Sequence, residues 1–491
     1  MSLNIGVIQK KTKQMKSAKR HSKICFINTP TQLYSSSKGC EIENYSTIPP
    51  LGLGYVATAA SGIVTKDNVS LIDAEFLRLS PRKIVQSIID DNPDYIAINA
   101  TTPNFHIVKI IIVSLRRVME KKIIIGGAHA ILSPNSILQD KDIRDLVYCV
   151  CIGDGEPTII DLLKGKKLSQ IANIKYIDKN NDIVKSKKEE TTQSINKIID
   201  RTFFQNDPLE DGDKIESFIL SARGCPFRCS FCAAPMMKPK MTKRDDDSMK
   251  QELMELRAQG VNYIRFVDDL FLSSKKRVDR LKQIWNDLKL NKENFGFEAT
   301  ARINIASKFS KETWELLVKM GLKEIEIGIE SGSQRIIGMM AKNINNQEVV
   351  STVKMAISQN IKVKGFVMLG YPTETVLDLN ITLDLIKKLK RLGGGNIRFS
   401  PVIVKAYPGT DIYSKYSHLV DNLSNDYLID LADYFSDEFT DDEKKILKKR
   451  TRYNAVHTLN EIPVALSEIT GGAKLYDVLQ VLAKLTLLSE N

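Results

Sequence analysis

No run of apolar residues in this chain is long enough to cross a bilayer; the richest, residues 110–115, is closed in by Lys109 and Arg116. The N-terminus lacks the apolar segment and small-residue cleavage site of a secretory signal, so a cytoplasmic protein without a membrane partner is expected. Seven cysteines, an odd number among 491 residues, do not make a disulfide framework. No long stretch is collagenous, low-complexity or disordered, and a 43% hydrophobic, 26% charged composition fits a soluble globular protein. The net charge of +12 concentrates only between Lys10 and Lys23, where no acid interrupts it. That run reads as a solvated basic tail, residues 1–22, rather than a nucleic-acid arm. Elsewhere lysine is mixed with acids, which gives no case for a nucleic-acid partner.

The length calls for two or three domains, and two blocks of alternation supply them. Residues 23–164 alternate short apolar runs (24–28, 69–72, 95–99, 123–125 and 146–152) with amphipathic segments (51–62, 81–91, 104–119 and 135–140). Ser80-Pro81 places a capping hydroxyl before a proline at the first helical position. Continuous apolar strands between helices predict an α/β, flavodoxin-like (Rossmann-like), doubly wound domain. Residues 165–215 break the pattern and read as a connector lying across a neighbouring domain, with one hairpin, 174–176 against 183–185. From 216 to 410 six strands follow (217–221, 263–267, 295–299, 324–329, 363–369 and 397–404). Helices at 248–259, 311–320 and 347–359 stop at Gly260, Gly321 and Asn360. This is the pattern of a partial (β/α)6 barrel with its site at the strands' carboxyl ends. Residues 411–491 read as a helical C-terminal region, with Thr440-x-x-Glu443 as a capping box and an apolar stripe from Leu475 to Leu485.

Three of the seven cysteines fall within eight residues, in Ser221-Ala-Arg-Gly-Cys225-Pro-Phe-Arg-Cys229-Ser-Phe-Cys232, directly after the first barrel strand. Thiolates so close on one loop converge on a single inorganic centre. Structural zinc wants a fourth Cys or His nearby, and none follows: His129 is far upstream and the next histidine is His418. Three thiolates on a cubane leave one iron open to an outside ligand. A zinc-stabilised binding module is the non-enzyme alternative.

At these residues the sequence resembles the radical S-adenosylmethionine (SAM) superfamily, whose signature is this spacing with an aromatic residue, here Phe231, before the third cysteine. The resemblance covers most of 216–410. It implies a 4Fe-4S cluster on Cys225, Cys229 and Cys232, whose open iron chelates SAM. A reducing electron, from a donor such as flavodoxin or ferredoxin, then cleaves SAM to a 5′-deoxyadenosyl radical. It also implies that Asp268 or Asp269 faces the methionine amine and that Glu298 and Arg302 belong to a polar lining. In the same way Glu330, in Gly328-Ile-Glu330-Ser331-Gly332, sits in a ribose-binding turn, and Gly370 ends the fifth strand beside the cofactor. The bland reading of these acids is ordinary charge at strand ends.

A second resemblance covers about 23–164, to the cobalamin-binding domain of one branch of that superfamily. It rests on Pro49-Pro50-Leu51-Gly52-Leu53-Gly54-Tyr55, on Gly126-Gly127-Ala-His129, and on Gly153-Asp154-Gly155-Glu156-Pro157-Thr158, and it implies that Thr101 and Thr102 touch the same ligand. The Asp-x-His-x-x-Gly loop of many cobalamin domains is replaced by Thr29-Pro-Thr-Gln-Leu-Tyr34, so no histidine there ligates cobalt. His129 reads as a polar residue at a turn. Cys25, Cys149 and Cys151 read as small buried hydrophobes, and with Cys40 in a loop they give no second cluster. Together the resemblances imply a radical SAM methyltransferase using cobalamin on an unactivated carbon, or on phosphorus, of a small-molecule substrate. A radical cyclase or rearrangement enzyme is the alternative, followed by a tRNA methylthiotransferase, which the helical tail disfavours.

Overall fold

The computed structural model describes residues 22–31, 48–186, 194–404 and 406–420, in two compact units that divide between Asn206 and Asp207. Cys40, the basic tail up to residue 21 and the helices expected beyond 420 lie outside the described residues.

In the first unit β1 (Ile24–Asn28), β2 (Val69–Asp73), β3 (Tyr95–Asn99), β4 (Lys122–Gly126) and β5 (Val147–Cys151) form a parallel sheet in the order β2-β1-β3-β4-β5. This is the flavodoxin-like order. Helices α1 (Leu51–Ser61), α2 (Pro81–Asp91), α3 (Phe105–Arg116), α4 (Ala128–Leu132), α5 (Pro134–Gln139) and α6 (Gly155–Leu163) lie between or after the strands. The first four residues of both β1 and β3 are buried without alternation, because both faces of the sheet are covered. Ser80 caps α2 by accepting from the Lys83 amide, with Pro81 behind it, and Asn92 ends the helix in the left-handed region.

The expected connector is corrected by the structure. The hairpin β6 (Ile174–Ile177) and β7 (Ile183–Lys185) joins the first sheet antiparallel at β5, because β6 offers alternating buried side chains to an otherwise open edge. Residues 194–206 also belong to this unit: the Asp200 amide donates to Thr58 Oγ1 at 2.9 Å, and Lys66 pairs with the Asp200 carboxylate at 2.7 Å.

The second unit opens with the antiparallel pair β8 (Leu209–Asp211) and β9 (Lys214–Ile219). A two-residue ladder, β10 (Ala222–Arg223) against β11 (Thr242–Lys243), closes the base of the cysteine loop; a short α7 (Ala234–Met237) lies between them. Then come α8 (Asp246–Ala258), β12 (Tyr263–Phe266), α9 (Lys275–Asp287), β13 (Gly296–Ala301), α10 (Ile303–Ala306), α11 (Lys311–Met320), β14 (Leu322–Glu330), α12 (Gln334–Met339), α13 (Asn346–Ser358), β15 (Lys362–Leu369), α14 (Val376–Gly393), β16 (Ile397–Ile403) and α15 (Asp411–Val420). Six strands, β9-β12-β13-β14-β15-β16, run parallel, as the expected half-barrel requires.

Here the strands alternate. Phe297, Ile325 and Ile327 point into the helix-covered core with Trp285 and Trp314. The intervening positions carry charge: Arg265 pairs with Glu298 and with Glu216 (3.1 Å), Arg398 with Glu324 (2.5 Å), and Lys364 with Glu326 (2.7 Å). The Trp285 indole donates to the Met320 carbonyl at 2.7 Å, so the ring is anchored within the core as well as buried. Truncating it to alanine would cost about 3–5 kcal/mol.

Candidate functional site

The cysteine loop leaves the carboxyl end of β9 and is held on every side. The Asp268 carboxylate, just past β12, accepts from the Ser221 amide (2.6 Å) and the Ser221 hydroxyl, to which Arg277 also donates at 2.5 Å. Asp269 accepts from the Gly224 amide at 3.1 Å. Gly224 has φ +88, and a Cβ there would lie 2.8 Å from the Lys238 carbonyl oxygen, so only glycine fits immediately before Cys225. Ser230, between the second and third cysteines, is the anchor. Its amide donates to the Met340 carbonyl (3.0 Å), its hydroxyl meets Tyr371 Oη (2.7 Å), and its carbonyl accepts from the Ile412 amide (3.0 Å). One small residue thus ties the loop to the end of α12, to the turn after β15 and to the start of α15.

The three cysteines are free thiols, each half-buried. Burial raises the Cys225 thiol, and burial pushes Cys232 up to about 11; the neighbouring cysteines and Asp269 add to both. Among the described residues no three His, Cys, Asp or Glu side chains gather around a single-ion position. A cubane asks for something else, since each thiolate binds a different iron. Three thiols within eight residues of one loop, without a fourth Cys or His nearby in sequence, fit that group.

Arg302, just past β13, donates from one nitrogen to Cys229 Sγ at 3.0 Å and from the other to the Lys342 carbonyl, and its guanidinium stacks 4.1 Å from the Phe227 ring. Lys342 in turn pairs through Nζ with Glu330, both side chains being buried. Glu330 ends β14 in the left-handed region (φ 61), at a shift in the β14–β15 register. A bulky residue held there is strain of the kind kept at binding sites. Gly370 follows β15 at φ +74, and its amide donates to Glu374 at 2.6 Å. Glu374 is fully buried, with no hydrogen-bond partner for Oε1 among the described residues, and burial pushes its carboxyl up to about 8.

Cys225, Cys229, Cys232, Asp269, Arg302, Glu330 and Gly370 therefore come together at the carboxyl ends of the strands. Glu298 does not: it lies in the amino half of β13, in the ion-pair ladder, where burial and then the neighbouring glutamates push it up to about 7. Asp268 is fully engaged in holding the loop, and Phe231 packs against the hydrophobic core. Sequence reasoning passed over Ser230, Lys342, Tyr371 as a loop contact, and Glu374; a serine flanked by two cysteines carries no pattern of its own.

The carboxyl edge of the first sheet is polar, with acids at Asp73 and at Glu75, whose carboxylate accepts from Thr31. Asn28 donates to Asp73 (2.8 Å) and accepts from Asn99 (3.2 Å), and Asn104 bridges the Thr29 carbonyl and the Thr101 amide. The hydroxyls of Thr29 and Thr101 are buried with no hydrogen-bond partner among the described residues. Gly127 has φ +92, and a Cβ there would sit 2.2 Å from Asn99 Oδ1, so Gly126-Gly127 runs flat against this edge. Unpartnered hydroxyls at an edge where glycine leaves no side chain fit a large amide-rimmed ligand such as cobalamin. Gly153 and Gly155 are closed off instead: a Cβ would meet Asn173 at 3.1 Å and Val56 at 3.0 Å, which lets α6 approach α1. Glu156 is buried on that helix. His129 is wholly buried, 4.3 Å from the Phe105 ring centroid and 3.2 Å from Thr102 Oγ1, and burial lowers it to about 4. Burial raises Cys25, Cys149 and Cys151, as their packing role requires.

Comparison with known proteins agrees with both halves. The radical SAM superfamily model matches residues 219–386 and the B12 binding domain model residues 42–163. An uncharacterized methyltransferase of Pyrococcus horikoshii is 27% identical over 391 residues, 75% of this chain and 78% of that protein. Among solved structures, the radical SAM methyltransferase TsrM of Kitasatospora setae, with cobalamin and a [4Fe-4S] cluster bound, superposes with TM-score 0.60 at 15% identity over 82% of this chain and 76% of its own. OxsB, a cobalamin-dependent SAM radical enzyme, gives 0.61 at 17% identity over 96% and 80%. At such identities the two structures speak for the fold. The chain therefore carries a B12-binding domain followed by a radical SAM domain. It is an enzyme, and its cofactors are a 4Fe-4S cluster, SAM and cobalamin. Among the described residues no helix is long and apolar enough to cross a membrane.

Proposed function

We propose that this enzyme is a methyltransferase that modifies an unactivated carbon, or phosphorus, of a small-molecule substrate, with a flavodoxin or ferredoxin as electron donor. The observation that carries the reading is the presence in one chain of two carboxyl edges: a three-cysteine loop on a half-barrel, and a Gly126-Gly127 turn beside unpartnered hydroxyls on a flavodoxin-like sheet. Cys225, Cys229 and Cys232 would hold the cluster. Asp269 and Glu330 would receive the amine and ribose of SAM, while Gly370 leaves the backbone open beside it. Thr29, Thr101, Thr102, Gly126 and Gly127 would receive cobalamin. When bound, these groups supply a carbon radical from SAM and a carrier for the methyl group. The residues contribute position: Asp268, Ser230 and Tyr371 fix the loop, and Lys342 orients the Glu330 carboxylate.

The test is anaerobic reconstitution with iron, sulfide and hydroxocobalamin, followed by desalting, a visible spectrum and product analysis with SAM. Stoichiometric cobalamin, with both 5′-deoxyadenosine and S-adenosylhomocysteine formed, supports methyl transfer. A cluster band and 5′-deoxyadenosine without retained cobalamin removes it.

A further inference from the structure

We propose that Arg302 is a positioning residue that holds the Cys229 thiolate and sets the reduction potential of the cluster. The inference rests on the assignment of Cys229 as a cluster ligand and concerns a contact which that assignment does not require.

Arg302 is the one cation that hydrogen-bonds any of the three cysteine sulfurs among the described residues, at 3.0 Å from Cys229 Sγ. Its geometry leaves it nowhere else to go. The second terminal nitrogen is taken by the Lys342 carbonyl, the guanidinium face lies on Phe227 at 4.1 Å, and only 9% of the residue is exposed. A flat, always-charged donor fixed on two sides and shielded from water keeps its field at the sulfur. One-electron reduction of a cluster adds a negative charge that spreads onto its thiolates. A fixed N–H donor to a ligand sulfur stabilises that charge and raises the potential. The Lys342 side chain pairs with Glu330, so the residue that fixes Arg302 from behind also orients the carboxylate assigned to SAM. The reducing electron comes from the flavodoxin- or ferredoxin-type donor.

The experiment is an anaerobic redox titration of the reconstituted full-length enzyme, followed by the EPR signal of the reduced cluster, for wild type, Arg302→Gln and Arg302→Lys. Iron content is measured alongside. Arg302→Gln is expected to lower the reduced-to-oxidised ratio at fixed potential roughly tenfold, about 59 mV for one electron. Arg302→Lys, which keeps the charge but not the planar fork, should fall between. Full-iron variants that both titrate at the wild-type potential overturn the proposal. Should the glutamine variant not hold the cluster, the lysine variant decides alone: a lowered potential supports the role and an unchanged one ends it. A wild type without a cluster signal would instead refute the cysteine assignment, a failure distinct from that of the Arg302 role.

Discussion

The two sheets of this chain arise from the same alternation of strand and helix, yet their strands are written differently. β1 reads Ile-Cys-Phe-Ile-Asn and is buried on both faces, whereas β14 reads Leu-Lys-Glu-Ile-Glu-Ile-Gly-Ile-Glu and buries its isoleucines towards the helices. The first sheet has helices on both sides and keeps its polar groups at the carboxyl edge; the second has a charged face crossed by ion pairs. Their ligand edges differ to match. Asn, Thr and Gly with the acids Asp73 and Glu75 line one; thiols, Arg302 and the Glu330–Lys342 pair line the other. A strand's alternation, more than its apolar content, tells a doubly wound sheet from a half-barrel, because it records how many faces meet a hydrophobic layer.

If the two edges are separate chemical sites, they should fail separately. The largest effect is expected from Cys229→Ala, which should abolish the iron–sulfur absorption and all 5′-deoxyadenosine formation while hydroxocobalamin still survives desalting. A variant that still cleaves SAM would refute the cluster assignment. The converse change, Gly127→Val, forces a side chain into φ +92 against Asn99 and Ala100. It should cost the first unit about 3 kcal/mol and release cobalamin without altering the cluster spectrum. Retention equal to wild type would show that the Gly126-Gly127 turn is not the binding surface.

The units should also respond oppositely to pH. Burial lowers His129 to about 4 from an ordinary 6.5, so the stability of keeping it neutral is complete above 6.5 and is lost as pH falls towards 4, on the order of 3 kcal/mol. Glu374, raised to about 8, works the other way: its contribution is complete below about 4.5 and is lost as pH rises through 8. Peptide-resolved hydrogen exchange, corrected for intrinsic rates, should show α4 loosening in acid and the start of α14 loosening in alkali. His129→Asn and Glu374→Gln should each flatten one slope; parallel slopes in both units would contradict the assignment of these two groups. The smallest effect is expected from Glu330→Gln, which keeps a partner for Lys342 and should weaken SAM binding about tenfold, or 1.4 kcal/mol, with the cluster spectrum and cobalamin retention intact. Unchanged SAM affinity in isothermal titration would remove Glu330 from that site.

Much of the framework was legible in the residues. The expected strands at 24–28 and 95–99 and the helices at 81–91 and 311–320 match the observed ends, since Ser80-Pro81 and Gly321 mark their boundaries chemically. The hairpin after residue 165 was misplaced because a short polar pair does not reveal which sheet edge it will complete. Glu298 and Glu330 read alike in sequence, each an acid on a barrel strand. Folding sends one into the ion-pair ladder and the other to a strained turn beside Lys342.

By itself the sequence determined the order of the two domains, their strand and helix periods and the clustering of three thiols on one loop, because each is encoded in local spacing. The tertiary structure decided which neighbours the thiolates meet. Ser230 became the anchor of the loop and Arg302 the donor to Cys229, through contacts between residues tens to more than a hundred positions apart. Such contacts leave no periodic trace in the chain; they exist only once the strands lie side by side and bring their carboxyl ends together.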